Sequence, residues 1–144
     1  ASDLALTPVT PEILAARELQ RGTIQLIRDI APYAHWGIRP PPLRLLINRM
    51  PQASSNARVI DGALRQIFRD EASVEVLDTR IPAIEAYPRA ATLALPVHRV
   101  ERHQPKNRVA PAALDTMRSL ACELFPQWRS AFAHVCRASD ERPK

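Results

Sequence analysis

Glycine is nearly missing from this chain: its 144 residues contain three, Gly22, Gly37 and Gly62, each isolated. None stands in a Gly-rich strand-to-helix turn, so the sequence holds no loop of backbone amides able to cradle a phosphate. Cysteine is scarce as well. Cys122 and Cys136 match no metal-ligand spacing, and with His35, His98, His103 and His134 they repeat no known ligand pattern, so they read as ordinary reduced thiols. No Ser-His-Asp or Cys-His arrangement can be picked out, which leaves the chain without a nominated catalytic residue or metal ligand. Lysine occurs only at Lys106 and Lys144, and aromatic residues make up 5% of the chain. No apolar run reaches the roughly 18 residues of a membrane span, and no basic stretch leads into a short apolar one. The expectation is a cytoplasmic protein without a membrane partner.

What is present is a chain with 46% hydrophobic residues, enough for one core. The formal charge of +5 is unevenly placed. Residues 1–97 carry 11 Arg against 10 acids, whereas residues 98–144 carry 7 Arg and 2 Lys against 5 acids, net +1 and +4 respectively. Clustered cations of this kind suit a polyanionic partner, because binding releases counterions from a phosphate backbone; they also suit a plain solvated surface.

Short apolar strands alternate with helix-patterned segments. Residues 4–9 form an apolar run, followed by Thr10-Pro11-Glu12, a helix start with Thr as cap and Pro in the first turn. Ile13, Ala16, Leu19, Thr23, Ile24, Ile27 and Ile30 then recur every three or four residues, predicting a helix with one buried face. Pro32 and the Pro40-Pro41-Pro42 run stop it. Residues 43–47 are nearly continuously apolar, as a strand buried on both faces requires. Ser54 or Ser55 caps the next helix, with Ala57, Ile60, Leu64, Ile67 and Phe68 inward. Val74, Val76 and Leu77 mark a third strand. Pro88 is expected to prevent a long helix over residues 83–95, and residues 96–100 read as a fourth, edge strand. Pro111 opens a helix with Leu114, Met117, Leu120, Ala121 and Leu124 inward; Pro126 ends it, and Trp128, Phe132 and Val135 suggest one more helix packed on the core. The alternation predicts an α/β fold, a mainly parallel sheet with flanking helices. Such sheets bind ligands beyond the carboxyl ends of their strands, here Pro8 and Thr10, Asn48 and Arg49, and residues 79–82.

Those strand ends resemble the ParA/MinD family of deviant P-loop ATPases, and its ParA partitioning branch in particular. Ala1-Ser2-Asp3 before an apolar strand ending in Pro8, Leu45-Leu46-Ile47-Asn48-Arg49, Val76-Leu77-Asp78-Thr79-Arg80-Ile81-Pro82 and Leu95-Pro96-Val97 follow the family in order and spacing over most of residues 1–126. The resemblance implies the C-terminal part of a P-loop NTPase-like, Rossmann-like three-layer fold over residues 1–126, with residues 127–144 as a terminal helix and tail. It implies an ATP-dependent switch for plasmid or chromosome partitioning, whose ATP-bound homodimer coats DNA non-specifically and is stimulated by a ParB-like adaptor. ATP and Mg belong to the parent protein. The phosphate loop, the catalytic acid and the metal-holding Asp of the family all lie upstream of Ala1, so this chain alone is expected to hold neither cofactor and to be inactive.

Carried over by position, Asn48 would hydrogen-bond the adenine edge, which suits an amide that both donates and accepts, and Pro82 would pack on the base. Read without the family, the same residues end a strand and turn the chain. After Pro82 this chain departs from the family, with Arg89 as a substitute DNA contact. Arg99, Arg102, Lys106 and Arg108, with His103, form the densest cationic cluster and are the remaining DNA-contact candidates. That loop lacks interleaved aromatics, so stacking on single strands is not expected there. A second reading stays open: a non-catalytic α/β module that binds DNA or protein.

Overall fold

The computed structural model describes residues 2–71 and 73–132. The chain is mixed α/β and divides into two compact units, Ala1–Ala83 and Ile84–Lys144.

In the first unit, β1 (Ala5–Val9), β2 (Leu43–Met50) and β3 (Val74–Pro82) form a parallel sheet in the order β1-β2-β3. β2 is central because its apolar run can be buried on both faces: Leu43, Leu45, Leu46 and Ile47 are all buried. β1 and β2 pair in unbroken register from Ala5↔Leu43 to Val9↔Ile47. β2 and β3 start in register at Leu43↔Val74, then shift twice, ending at Ile47↔Arg80 and Met50↔Pro82. These irregularities fall at the carboxyl end of the sheet, where bulges re-aim the chain.

The helices cover the face that carries Val9, Leu43, Leu45, Ile47 and Val74. Leu19, Ile24, Ile60, Leu64 and Phe68 complete that core. Each fully buried aliphatic side chain contributes about 1.5–3 kcal/mol, and truncating completely buried Leu45 to Ala costs about 2–5 kcal/mol.

α1 (Ile13–Leu19) and α2 (Gln25–Ile30) are joined by a π turn, Gln20–Ile24. The extra residue in that turn brings Ile24, five positions after Leu19, onto the buried face; both are buried. The regular 3.6-residue stripe expected from the sequence is therefore broken, and Ile13 at its start is 56% exposed. Thr10 is not the cap. Its carbonyl accepts from Glu12 N–H at 2.8 Å, and the helix starts at Ile13 with no side-chain cap. Pro32 does not stop the segment either, because it falls in the first turn of a 3-10 helix, Ala31–Trp36, where its missing N–H costs nothing. Gly37, in the left-handed region at φ 81°, ends that helix and donates to Ala34 O at 3.1 Å.

α3 (Ser55–Ile67) begins as the sequence predicts: Ser54 Oγ accepts from Ala57 N–H at 3.1 Å. Ala57, Ile60, Leu64 and Phe68 are buried, whereas Ile67 is turned out and 58% exposed. The position on the inner face that apolar periodicity passes over is Asp61, 5% exposed. Its Oδ1 accepts from Arg65 Nε at 3.0 Å and its Oδ2 from Arg80 Nε at 2.7 Å. Arg65 goes on to donate to the carbonyls of Val76 and Leu77. Asp61, through Arg80, and Arg65, which also pairs with Asp78 at 3.2 Å, thus tie α3 to β3 where the strand loses register.

The second unit contains α4 (Ala86–Thr92), α5 (Val97–Val100) and α6 (Ala113–Leu124), then a 3-10 turn, Pro126–Trp128. The expected fourth strand at residues 96–100 is instead one helical turn. Pro96 has φ −59° and ψ 132°, an extended cap, and its carbonyl accepts from Arg99 N–H at 2.9 Å. Pro88 sits inside α4, in the first turn, where proline is tolerated. The apolar core here is small: Ile84, Ala86, Ala110 and Ala113, flanked by Tyr87 and Val97. Along α6 the fully buried positions are Ala113 and Thr116, and the expected inward residues such as Leu114 and Met117 are half-buried. Val135, placed by the sequence in a further helix, lies outside the described residues, as do His134 and Cys136.

A polar clamp compensates for the thin core. Arg108 Nη1 donates to Glu101 Oε2 at 2.8 Å and its Nη2 reaches Oε1, a bidentate pair, while Glu101 Oε1 also accepts from Ala113 N–H at 3.0 Å. Glu101 thereby caps α6, whose cap residue Ala112 has no side chain to do so. The Arg108 guanidinium holds the Glu101 carboxyl below the usual glutamate range, and that carboxylate raises the Arg108 pKa in return. Nearby, burial pushes the Tyr87 phenol up. Its oxygen is buried without a hydrogen-bond partner among the described residues; the neighbouring Thr116 hydroxyl donates to Ala112 O at 3.1 Å.

Candidate functional site

The carboxyl ends of β2 and β3 lie side by side and bring Asn48 and Pro82 to the same edge of the sheet. Met50 pairs with Pro82, and Met50 O accepts from Ala83 N–H at 2.9 Å, which fixes the chain just past both strands. Asn48 is half-buried and Pro82 buried. Between Asn48 and that pairing stands Arg49, at φ 56°. A non-glycine residue held left-handed costs about 1–2 kcal/mol, and such residues cluster at functional sites. Arg49 is exposed, and its side chain makes no hydrogen bond or ion pair among the described residues. Sequence reasoning named Arg49 only as a strand end. Its left-handed backbone has no signal in the sequence, since glycine or asparagine is the usual marker.

At the end of β1 the chain frames a cavity of about 410 Å³, lined by Thr7, Pro8, Val9, Thr10, Ala15, Glu18, Leu19, Gly22 and Thr23. It opens beside the π turn and includes neither Asn48 nor Pro82.

The residues present supply no glycine-rich turn for the phosphates of a nucleotide. Gly22 lies in the π turn, Gly62 inside α3 and Gly37 at a helix end, so no glycine serves a strand-to-helix loop. Among the described residues no three His, Cys, Asp or Glu side chains come together as a metal site. What the β2–β3 edge exposes is part of the Asn48 amide and the Arg49 cation, with Pro82 buried beside them.

The five candidate DNA contacts all belong to the second unit. Arg89 lies on α4, Arg99 on α5, and Arg102 and Lys106 in the loop before α6; all four are exposed, and their side chains make no ion pair among the described residues. Arg108 is different. Its side chain is 14% exposed and committed to Glu101, Ala110 O and Pro111 O, so it organises the loop rather than offering a cation to solvent. Glu101, which holds it, carried no sequence signal, because its partners are seven and twelve residues away.

No helix among the described residues is long and apolar enough to cross a membrane. No family model matches the chain, and no curated protein or solved structure is significantly similar to it.

Proposed function

We propose that this chain is the C-terminal part of a ParA-like partitioning ATPase with a P-loop NTPase-like fold. In this reading the β2–β3 edge receives the adenine, with Asn48 on the base edge and Pro82 on its face. Arg89, Arg99, Arg102 and Lys106 meet DNA phosphates without reading sequence. ATP and Mg are held by a phosphate loop outside these 144 residues, in a cytoplasmic homodimer answering to a ParB-like adaptor. The observation that carries the reading is the juxtaposition of Asn48 and Pro82 at neighbouring strand ends, beside a residue held left-handed. That edge is where an open parallel sheet takes its ligand.

The second reading, a non-catalytic DNA-binding module, draws support from the unpaired cations of the second unit and from the lack of any glycine-rich turn. One comparison separates them. A polypeptide extended upstream to include a phosphate loop should bind duplex DNA only with ATP, and Asn48→Ala should weaken its ATP affinity about tenfold, the loss of one to two hydrogen bonds. Nucleotide-independent duplex binding by the 144-residue chain favours the module instead, with a log–log salt slope of about −3 to −4 for four phosphate contacts.

A further inference from the structure

The second unit ends its described part in an aromatic ladder that its core does not use. Phe125 and Trp128 stack with centroids 5.2 Å apart and planes at 24°, and Phe132 meets Trp128 edge-on at 6.4 Å. None of the three belongs to the buried cluster of Ile84, Ala86, Ala110 and Ala113. Trp128 is 54% exposed, a large area of indole left to solvent. The 3-10 turn begun by Pro126 holds it there, with Trp128 N–H donating to Phe125 O at 3.0 Å, so the ladder is set by the backbone.

Charge decides what would cover such a surface. Over residues 84–132 seven cations face four carboxylates. Arg108 is spent on Glu101, and Arg118 lies 3.5 Å from Asp115. Arg89, Arg99, Arg102, Lys106 and Arg129 remain without a carboxylate partner among the described residues. A unit that carries both an exposed indole and unpaired cations, with Arg129 next to Trp128 in the chain, matches the chemistry of unpaired nucleic acid, whose bases stack and whose phosphates need countercharge. A duplex offers the same phosphates but keeps its bases stacked on each other.

We propose that this unit binds single-stranded DNA, with a base stacked on the Phe125–Trp128 ladder and the phosphates held by the unpaired cations. The inference rests on the second reading above, nucleotide-independent DNA binding by this chain, and adds a preference for unpaired strands. The test uses the full chain carrying Trp36→Phe, so that Trp128 is the sole indole. It is titrated at low salt with a thymidine oligonucleotide and with a duplex of equal length, following Trp128 emission and the anisotropy of labelled DNA. The oligonucleotide should quench Trp128 and bind more tightly than the duplex. Trp128→Leu should lower oligonucleotide affinity at least about fivefold and leave duplex affinity within about twofold. Unchanged oligonucleotide affinity in Trp128→Leu, or binding without quenching, overturns the inference. Duplex bound as well as the single strand overturns it too, while leaving the DNA reading standing. Failure of a folded chain to bind either form overturns the inference and, with it, the nucleotide-independent module reading on which it rests. A dimer in sedimentation equilibrium that Trp128→Leu splits would assign the ladder to a second copy of the chain and also overturns the proposal.

Discussion

Removing the Asp61 carboxylate should be among the most damaging single changes in the first unit. The side chain of Asp61 is 7% exposed and sits between Arg65, 25% exposed, and Arg80, 41% exposed. Asp61→Ala deletes bonds at 3.0 Å to Arg65 Nε and at 2.7 and 2.6 Å to Arg80 Nε and Nη2. Breaking a buried pair by removing one partner costs about 3–5 kcal/mol, since a charge is left in a poor solvent. Two features lower that figure here. Arg65 keeps the Val76 and Leu77 carbonyls and a second carboxylate, Asp78, at 3.2 Å, and Arg80 is exposed enough to recover water, so its share is discounted. The net expectation is about 3 kcal/mol. With a urea m-value of about 1 kcal/mol/M for a unit of this size, the midpoint should fall by about 3 M, or the unit should be unfolded without urea. Arg80→Ala alone should cost about 1 kcal/mol, and the two changes together less than their sum, because they share one contact. A loss below about 1 kcal/mol in Asp61→Ala, or strict additivity with Arg80→Ala, would refute the claim that this carboxylate ties α3 to β3.

Glu101 gives the second unit a pH dependence of definite sign. Its folded pKa is depressed by Arg108, so its stabilisation is complete above the ordinary glutamate range and is lost as pH falls through the folded value. Acid titration followed by circular dichroism should show the unit weakening below about pH 4, and Glu101→Gln should flatten that limb and cost about 1–3 kcal/mol at neutral pH. At Arg49 the usual order of residues should reverse. Because its φ is 56°, Arg49→Gly should be more stable than Arg49→Ala by about 1 kcal/mol in urea melts, whereas at a right-handed position alanine would win.

How far the sequence could be read depended on whether a feature was local. The continuous run at residues 43–47 announced a central strand, and Ser54 announced a helix start, because each signal sits in the element it specifies. Residues 96–100, Pro-Val-His-Arg-Val, misled because so short a stretch with a valine near each end fits a strand or one helical turn equally well, and Pro96 settled it in favour of the turn. The π turn was invisible, since inserting one residue into a helix leaves the composition unchanged. Asp61 did leave a trace: an acid between Ile60 and Leu64 with Arg65 four residues on. Arg80, its second partner, is set only by the register of β3. At the candidate site, Asn48 and Pro82 were legible as strand ends, and their adjacency follows from parallel pairing. The strain at Arg49 and the commitment of Arg108 to Glu101 required the folded chain.

The central claim, that these residues complete a nucleotide switch, is tested most directly by reading the coding DNA upstream of Ala1. The account predicts an in-frame strand followed by a glycine-rich turn with Lys and Ser or Thr. A start codon close upstream with no such turn would contradict it and leave a nucleotide-free binding protein.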